Sequence, residues 1–193
     1  MNRSLKVSKL TFMGVMLALT VVFVALTAIP TTSASMALFI FLPTIVTSIV
    51  QGPKSGAVMG FLAGTVTLLR ALLAPASPLD TLFINPLVSV LPRIFIGVVP
   101  YFIYIAFKKL IRSKTVSLLI AGASGALTNT ALVMLMLYFT YSEEIVRLST
   151  EFGLGTTFAA FVLFIVTTSS LIECTAAGVG TMTVVNIYDK VNK

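Results

Sequence analysis

A chain of 193 residues in which 58% of the side chains are hydrophobic and only 10% are charged is far too apolar for a soluble domain, whose charged fraction is nearer ~25%. Its formal charge of +7 does not point to nucleic acid, because the cations border apolar runs instead of forming a stripe interleaved with aromatics; they read as topology signals in contact with anionic lipid. With no histidine, one cysteine (Cys174) and no pair of carboxylates inside an apolar run, the chain lacks the parts for metal-dependent hydrolysis, a Ser-His triad or a proton relay.

Proline, glycine and charge divide the sequence into six apolar segments of one membrane-embedded domain, 1–193. None alternates polar and apolar residues over about ten positions, so the spans are expected to be helices and not barrel strands. The first segment, 10–29, follows Arg3, Lys6 and Lys9. Its length of about 20 residues is that of a full span, whereas a signal-peptide core has ~7–15. Gly14 and Ala18 form a small-xxx-small pair there, with Ala25 and Ala28 further along; the spacing suits packing inside the bundle or docking of a partner membrane protein. The second segment, 36–51, contains Pro43 and ends at GPKSG, a turn without the spacing of a phosphate-binding loop.

The third segment, 57–73, carries Arg70 near its outer end, a few residues before Pro75. Arg70 is either an interfacial side chain that snorkels or a ligand contact. The fourth, 86–107, opens with NPLVSVLPRIFIGVVP. Counting from Pro86, Arg93 lies about 10 Å into the membrane. Pro92 cannot donate to the carbonyl of Val88 and disfavours helical geometry at Leu91. Broken backbone at such depth is tolerated only against protein or a water-filled cavity. The fifth segment, 116–138, places Asn129, between Thr128 and Thr130, about 15 Å from its outer end. The polar loop TYSEEIVRLSTEFG follows. The sixth, 157–187, holds Glu173 among small residues and is long enough to tilt or kink near Gly178 and Gly180.

Six spans put both termini on one side. That side carries Arg3, Lys6, Lys9, Lys54, Lys108, Lys109, Arg112, Lys114, Lys190 and Lys193, ten of the thirteen cations, so it is expected to be cytoplasmic. Arg93, Asn129 and Glu173 then all lie in the outer half or centre of their spans. Counted with Arg70, two cations face one anion, which favours an anionic, hydrogen-bonding ligand over a cationic one. The alternatives are an internal Arg93–Glu173 ion pair and an interhelical hydrogen bond at Asn129.

The order and spacing of NPLVSVLPRIFIGVVPYFIY, LTNTALV and SSLIECTAAG, after a basic amino terminus and a small-xxx-small first helix, resemble the substrate-capturing S components of energy-coupling factor (ECF) vitamin transporters. The resemblance covers nearly the whole chain, although Gly14 stands where the family's usual first-helix motif is Ala-x-x-x-Ala. It implies an all-α bundle of six transmembrane helices in a bacterial cell membrane, with both termini cytoplasmic. It also implies a non-catalytic subunit without cofactor or metal, which binds a vitamin from outside under the loops 30–35 and 75–85, with 140–155 alongside. The partners implied are a membrane coupling protein (the T component) and, through it, two cytosolic ABC-type ATPases. The LPR and TNT segments look most like the pantothenate branch, with Arg93 on the carboxylate, Asn129 and Glu173 on amide and hydroxyl groups, and Thr128 and Arg70 nearby. Hydroxymethylpyrimidine or pyridoxine, folate, riboflavin and niacin are the alternative substrates, and a non-transport membrane scaffold is the alternative if Arg93 and Glu173 merely pair with one another.

Overall fold

Five prolines, Pro43, Pro53, Pro86, Pro92 and Pro100, each sit in the first turn of a helix, where a missing N–H breaks no intrahelical bond. They frame much of the architecture. The computed structural model describes residues 3–27, 39–75 and 78–191, and every regular element among them is helical. The elements are α1 (Arg3–Leu26), α2 (Leu42–Gln51), α3 (Pro53–Leu73), a 3-10 helix (Pro78–Ile84), α4 (Pro86–Ser89), α5 (Leu91–Ile96), α6 (Val99–Ile111), α7 (Lys114–Glu151), α8 (Phe158–Ile165), a π-helical turn (Val166–Ser170) and α9 (Leu171–Val191).

Five stretches are long and apolar enough to cross a membrane: Val7–Leu26, Pro53–Leu73, Pro86–Ile111, Lys114–Glu151 and Phe158–Val191. The ten residues of α2 reach only ~15 Å. The expected second segment, 36–51, therefore contributes helix from Leu42, and residues 36–38 of it lie outside the described residues, as does the loop 30–35. Two cross-links hold one end of the bundle together, Gln51 donating to the Lys9 carbonyl at 3.0 Å and Lys114 pairing with Asp189. This is the basic end. The opposite, acidic end carries the 3-10 helix with Asp80 and the last turns of α7 with Glu143, Glu144 and Glu151.

The span Pro86–Ile111 is broken twice. Asn85 caps α4, its side-chain oxygen accepting from the Leu87 N–H at 3.0 Å, and Pro86 opens the first turn. The helix is interrupted at Val90 and again at Gly97 and Val98. Leu91 begins α5, so the break expected at that residue falls one position earlier. Two other expectations change. The segment 140–155 is not a loop throughout: after a kink at Tyr141 (φ −140°, ψ 30°) helix continues to Glu151, because Ile145 and Leu148, three residues apart, are buried against Leu82, Val88 and Phe161. The last span deviates at Val166–Ser170 instead of at Gly178 and Gly180. There Thr167 and Thr168 return their hydroxyls to the carbonyls of Leu163 and Phe164, an arrangement that loosens the helical ladder. Gly178 instead packs against the Leu119 carbonyl of α7 and Gly180 against Leu42.

What seats the broken span is α3. Gly56, Gly60 and Gly64, four residues apart, let its backbone approach α4–α6. A Cβ on Gly60 would lie 2.0 Å from the Arg93 carbonyl oxygen, one on Gly56 2.0 Å from that of Gly97, and one on Gly64 2.6 Å from Val90 Cα. Nothing in these contacts is a flexible side-chain tip that could move aside. Gly60→Ala is therefore expected to cost about 1–3 kcal/mol by overpacking, read as a lower thermal unfolding midpoint in detergent. Gly14→Ala, where an added Cβ meets nothing within 4 Å, is expected to leave the midpoint unchanged or raised.

Candidate functional site

Two apolar clusters fill the half of the bundle toward the acidic end, and polar residues lie between them. One cluster contains Val24, Phe41, Ile45, Ile96, Ala126 and Ala177; the other contains Leu82, Val88, Val133, Ile145, Leu148 and Phe161. Along the broken span Arg93 falls between Val88 and Ile96. On α7 Asn129 and Thr130 fall between Ala126 and Val133, and on the last span Ser170 and Glu173 fall between Phe161 and Ala177. Three spans thus each contribute polar groups to one layer.

Arg93 is only 6% exposed. The carbonyl of Val88, which Pro92 cannot serve, receives a long hydrogen bond of 3.4 Å from Arg93 Nη1. The guanidinium carbon lies 5.8 Å from the centroid of Phe41 and 5.6 Å from that of Phe83, over the ring faces. Its Nε is buried without a partner. Among the described residues there are three ion pairs, Arg70–Asp80, Lys114–Asp189 and Arg147–Glu144, so Arg93 and Glu173 are not directly paired. Glu173 is near enough for its charge to act on Arg93, and the Thr130 hydroxyl lies close to its carboxylate. The magnitudes show what is lacking. A membrane-buried arginine costs about 2.5–3.5 kcal/mol on the insertion scale, and a desolvated cation–π contact returns about 2. The rings thus offset much of the charge's cost, yet leave the guanidinium's hydrogen-bonding capacity largely unused.

Asn129 is 8% exposed, and its Oδ1 is buried without a hydrogen-bond partner. An interhelical hydrogen bond through that oxygen is therefore not formed. The Ser170 Oγ, also buried, has none either. Thr128 sits beside this layer, but its hydroxyl donates to the Ser124 carbonyl at 2.7 Å. Arg70 stands apart from Arg93. Its Nη1 pairs with Asp80 at 2.5 Å and its Nη2 donates to the Thr27 carbonyl at 2.8 Å, joining the end of α1 to the 3-10 helix. Gly14 and Ala18 lie on the exposed face of α1, with Val15, Leu19 and Val22; they do not pack inside the bundle.

Comparison with known proteins matches residues 8–185 to the model of the ECF transporter, substrate-specific component, family. The chain belongs to that family. It is therefore a multi-pass membrane protein and the substrate-binding component of an ECF-type transport system. It is 28% identical over 162 residues to the pantothenic acid transporter PanT of Lactococcus lactis subsp. cremoris, covering 77% of this chain and 76% of that protein. It is 34% identical over 96 residues to the pantothenate transporter PanT of Leuconostoc mesenteroides subsp. mesenteroides, covering 47% and 46% respectively.

For this S component, sequence reasoning missed three features. Phe41 and Phe83 carry no local signal among fourteen phenylalanines. The π-helical turn next to Glu173 has a faint one in the run TTSS. The glycine ladder of α3 was legible as GAVMGFLAG, a repeat of four.

Arg70 holds two connections at once, with its side chain 13% and that of Asp80 17% exposed. Its loss should fall between the small cost of a surface pair and the larger cost of a buried one. Arg70→Ala is expected to destabilise the protein by roughly 1–3 kcal/mol and to speed protease cleavage between residues 74 and 85. Arg70→Lys should recover part of the stability, since it keeps the charge without the two-pronged geometry. Wild-type melting and cleavage in Arg70→Ala would contradict this role.

Proposed function

We propose that the protein captures pantothenate from the extracellular side of a bacterial cell membrane for ATP-driven uptake. One observation carries the reading: Arg93 is a buried guanidinium with an unpartnered Nε and no carboxylate at ion-pair distance among the described residues. A planar carboxylate supplies what it lacks, accepting two charge-assisted hydrogen bonds along one edge. The rest of the layer suits the rest of that vitamin. Asn129 Oδ1 accepts from an amide N–H or hydroxyl, and Glu173, close to Thr130, accepts from a hydroxyl. Thr128 lines the site through its methyl group while its hydroxyl stays on α7. Arg70 acts at the rim, keeping the 3-10 helix over the site through Asp80. The names of the two relatives support the same substrate.

In this reading the segment 36–51 supplies a sixth span, and both termini lie in the cytoplasm with ten of the thirteen cations. The subunit itself is non-catalytic. A membrane coupling protein docks on α1, where Gly14, Ala18 and Ala25 all face outward, and two cytosolic ABC-type ATPases act through that protein. ATP-driven movement turns the S component so that its site faces inward.

Mass spectrometry of co-purified small molecules, followed by calorimetric titration, tests the substrate. Pantothenate should bind the wild type, and Arg93→Ala should weaken it roughly a hundredfold or more, as expected when a buried, hydrogen-bonded charge loses its partner. The neutral alcohol analogue of pantothenate should bind wild type and Arg93→Ala alike. Equal pantothenate affinity in both proteins would sink the anion clamp.

The docking face is tested separately by co-purification. Gly14→Leu is expected to abolish recovery of the coupling protein and both ATPases while leaving pantothenate affinity within about twofold, since an added side chain meets nothing within this subunit and obstructs only a close helix–helix approach from outside. An intact complex would remove α1 from the docking surface.

A further inference from the structure

The two aromatic contacts to Arg93 come from separate parts of the chain. Phe41 immediately precedes α2 and belongs to one apolar cluster; Phe83 lies on the 3-10 helix and packs against the other. A guanidinium among hydrocarbon side chains has no intrinsic preference for one orientation, because apolar contact is non-directional. A ring face does impose one: the quadrupole attracts the cation over its π surface. With both rings presenting their faces and Nη1 on the Val88 carbonyl, the remaining N–H edge is what a ligand can meet.

We propose that Phe41 and Phe83 are positioning residues of the anion site, holding the Arg93 guanidinium so that it presents an N–H edge to a planar carboxylate. This rests on the reading of Arg93 as the carboxylate contact. It also ties ligand affinity to the seating of two connections at the acidic end. Phe41 ends the connection from α1 to α2, and Phe83 sits in the connection from α3 to α4. Arg70 bridges the same two connections nearer their other ends, at Thr27 and Asp80. Displacing either connection removes one ring from the cation and leaves the guanidinium free to rotate. The rings thus act on the ligand only through Arg93.

The test uses the full chain labelled with 15N-arginine in lipid nanodiscs. The Arg93 Nε–H resonance is identified by its loss in Arg93→Lys, and pantothenate is titrated by calorimetry. In Phe41→Leu and Phe83→Leu that resonance should move as ring shielding is lost, and the pantothenate Kd should rise up to roughly thirtyfold, the scale of one desolvated cation–π contact. Phe41→Met and Phe83→Met, whose unbranched side chain adapts to fill irregular gaps, should behave in the same way and guard against a folding defect. Phe83→Tyr, which keeps the ring face, should hold both the resonance and the Kd near wild type. An Arg93 resonance unmoved by the Leu and Met variants overturns the clamp. So does equal weakening of binding in Phe83→Leu and Phe83→Tyr. If the resonance moves as expected but wild type binds no pantothenate, the clamp on the cation stands and the substrate reading falls.

Discussion

A guanidinium keeps its proton at physiological pH, so a membrane protein that buries one must surround it with compensating groups. Arg93 has two phenylalanine faces and one long bond to the Val88 carbonyl. Much of the local architecture follows from placing it there. Pro92 frees the carbonyl that Arg93 reaches. Asn85 and Pro86 fix where the broken span begins. Gly60 lets α3 come against the Arg93 backbone so closely that even a methyl group would collide with its carbonyl oxygen. The cation's depth is thus set by backbone contacts, and its orientation by side chains from elsewhere in the chain.

The same constraint separates the tasks of the charged residues. Arg70 also has a buried Nε without a partner, but both of its terminal nitrogens are engaged, by Asp80 and the Thr27 carbonyl, and its contribution is to hold the acidic end together. Arg93 keeps donors in reserve, as Asn129 keeps an acceptor. A direct pair between Arg93 and Glu173 would have cancelled the only charges in this layer and made a scaffold. Instead Glu173 lies close enough to Arg93 to be felt electrostatically, yet the two form no ion pair among the described residues. A layer with unspent donors and acceptors between two apolar clusters is costly for stability alone, and on the proposed reading a ligand's polar groups would remove that cost.

Local chemistry made the centre of this site readable. Proline effects act within four residues, and an arginine deep in an apolar run is conspicuous by its cost, so the broken span and its cation could be inferred from NPLVSVLPRIFIGVVP alone. Asn129 and Glu173 were legible for the same reason. Features that depend on tertiary partners were not. The choice of Phe41 and Phe83 among fourteen identical residues is made by tertiary placement, which sets one ring just before α2 and the other on the 3-10 helix against the same cation. The helix after Tyr141 hides in SEEIVRLSTE because its charges obscure the spacing of Ile145 and Leu148, which becomes decisive only when Leu82 and Phe161 are there to receive them. Gly178 and Gly180 looked like hinges because glycine weakens a helix. In place they allow close packing, and hydroxyls competing for backbone carbonyls move the irregularity to Val166–Ser170.

The weakly buried first helix completes the logic. Only 11% of its most apolar window is buried within the chain, so most of α1 faces away from the bundle. Its contacts with the rest include the Lys9 carbonyl on Gln51, Met16 in the cluster toward the basic end, Val24 in the cluster beneath Arg93 and, just past its last turn, the Thr27 carbonyl on Arg70. The exposed small residues Gly14 and Ala18 lie a full turn or more below the last two of these. One helix therefore presents an outward face to the membrane and anchors a connection over the polar layer through opposite sides and different ends. A partner gripping the outward face near Gly14 would touch none of the residues that hold Arg93. It would still hold a helix whose far end is tied, through Arg70, to the 3-10 helix that carries Phe83. That connection, through Arg70, Asp80 and Phe83, links α1 to the guanidinium without any contact between partner and ligand.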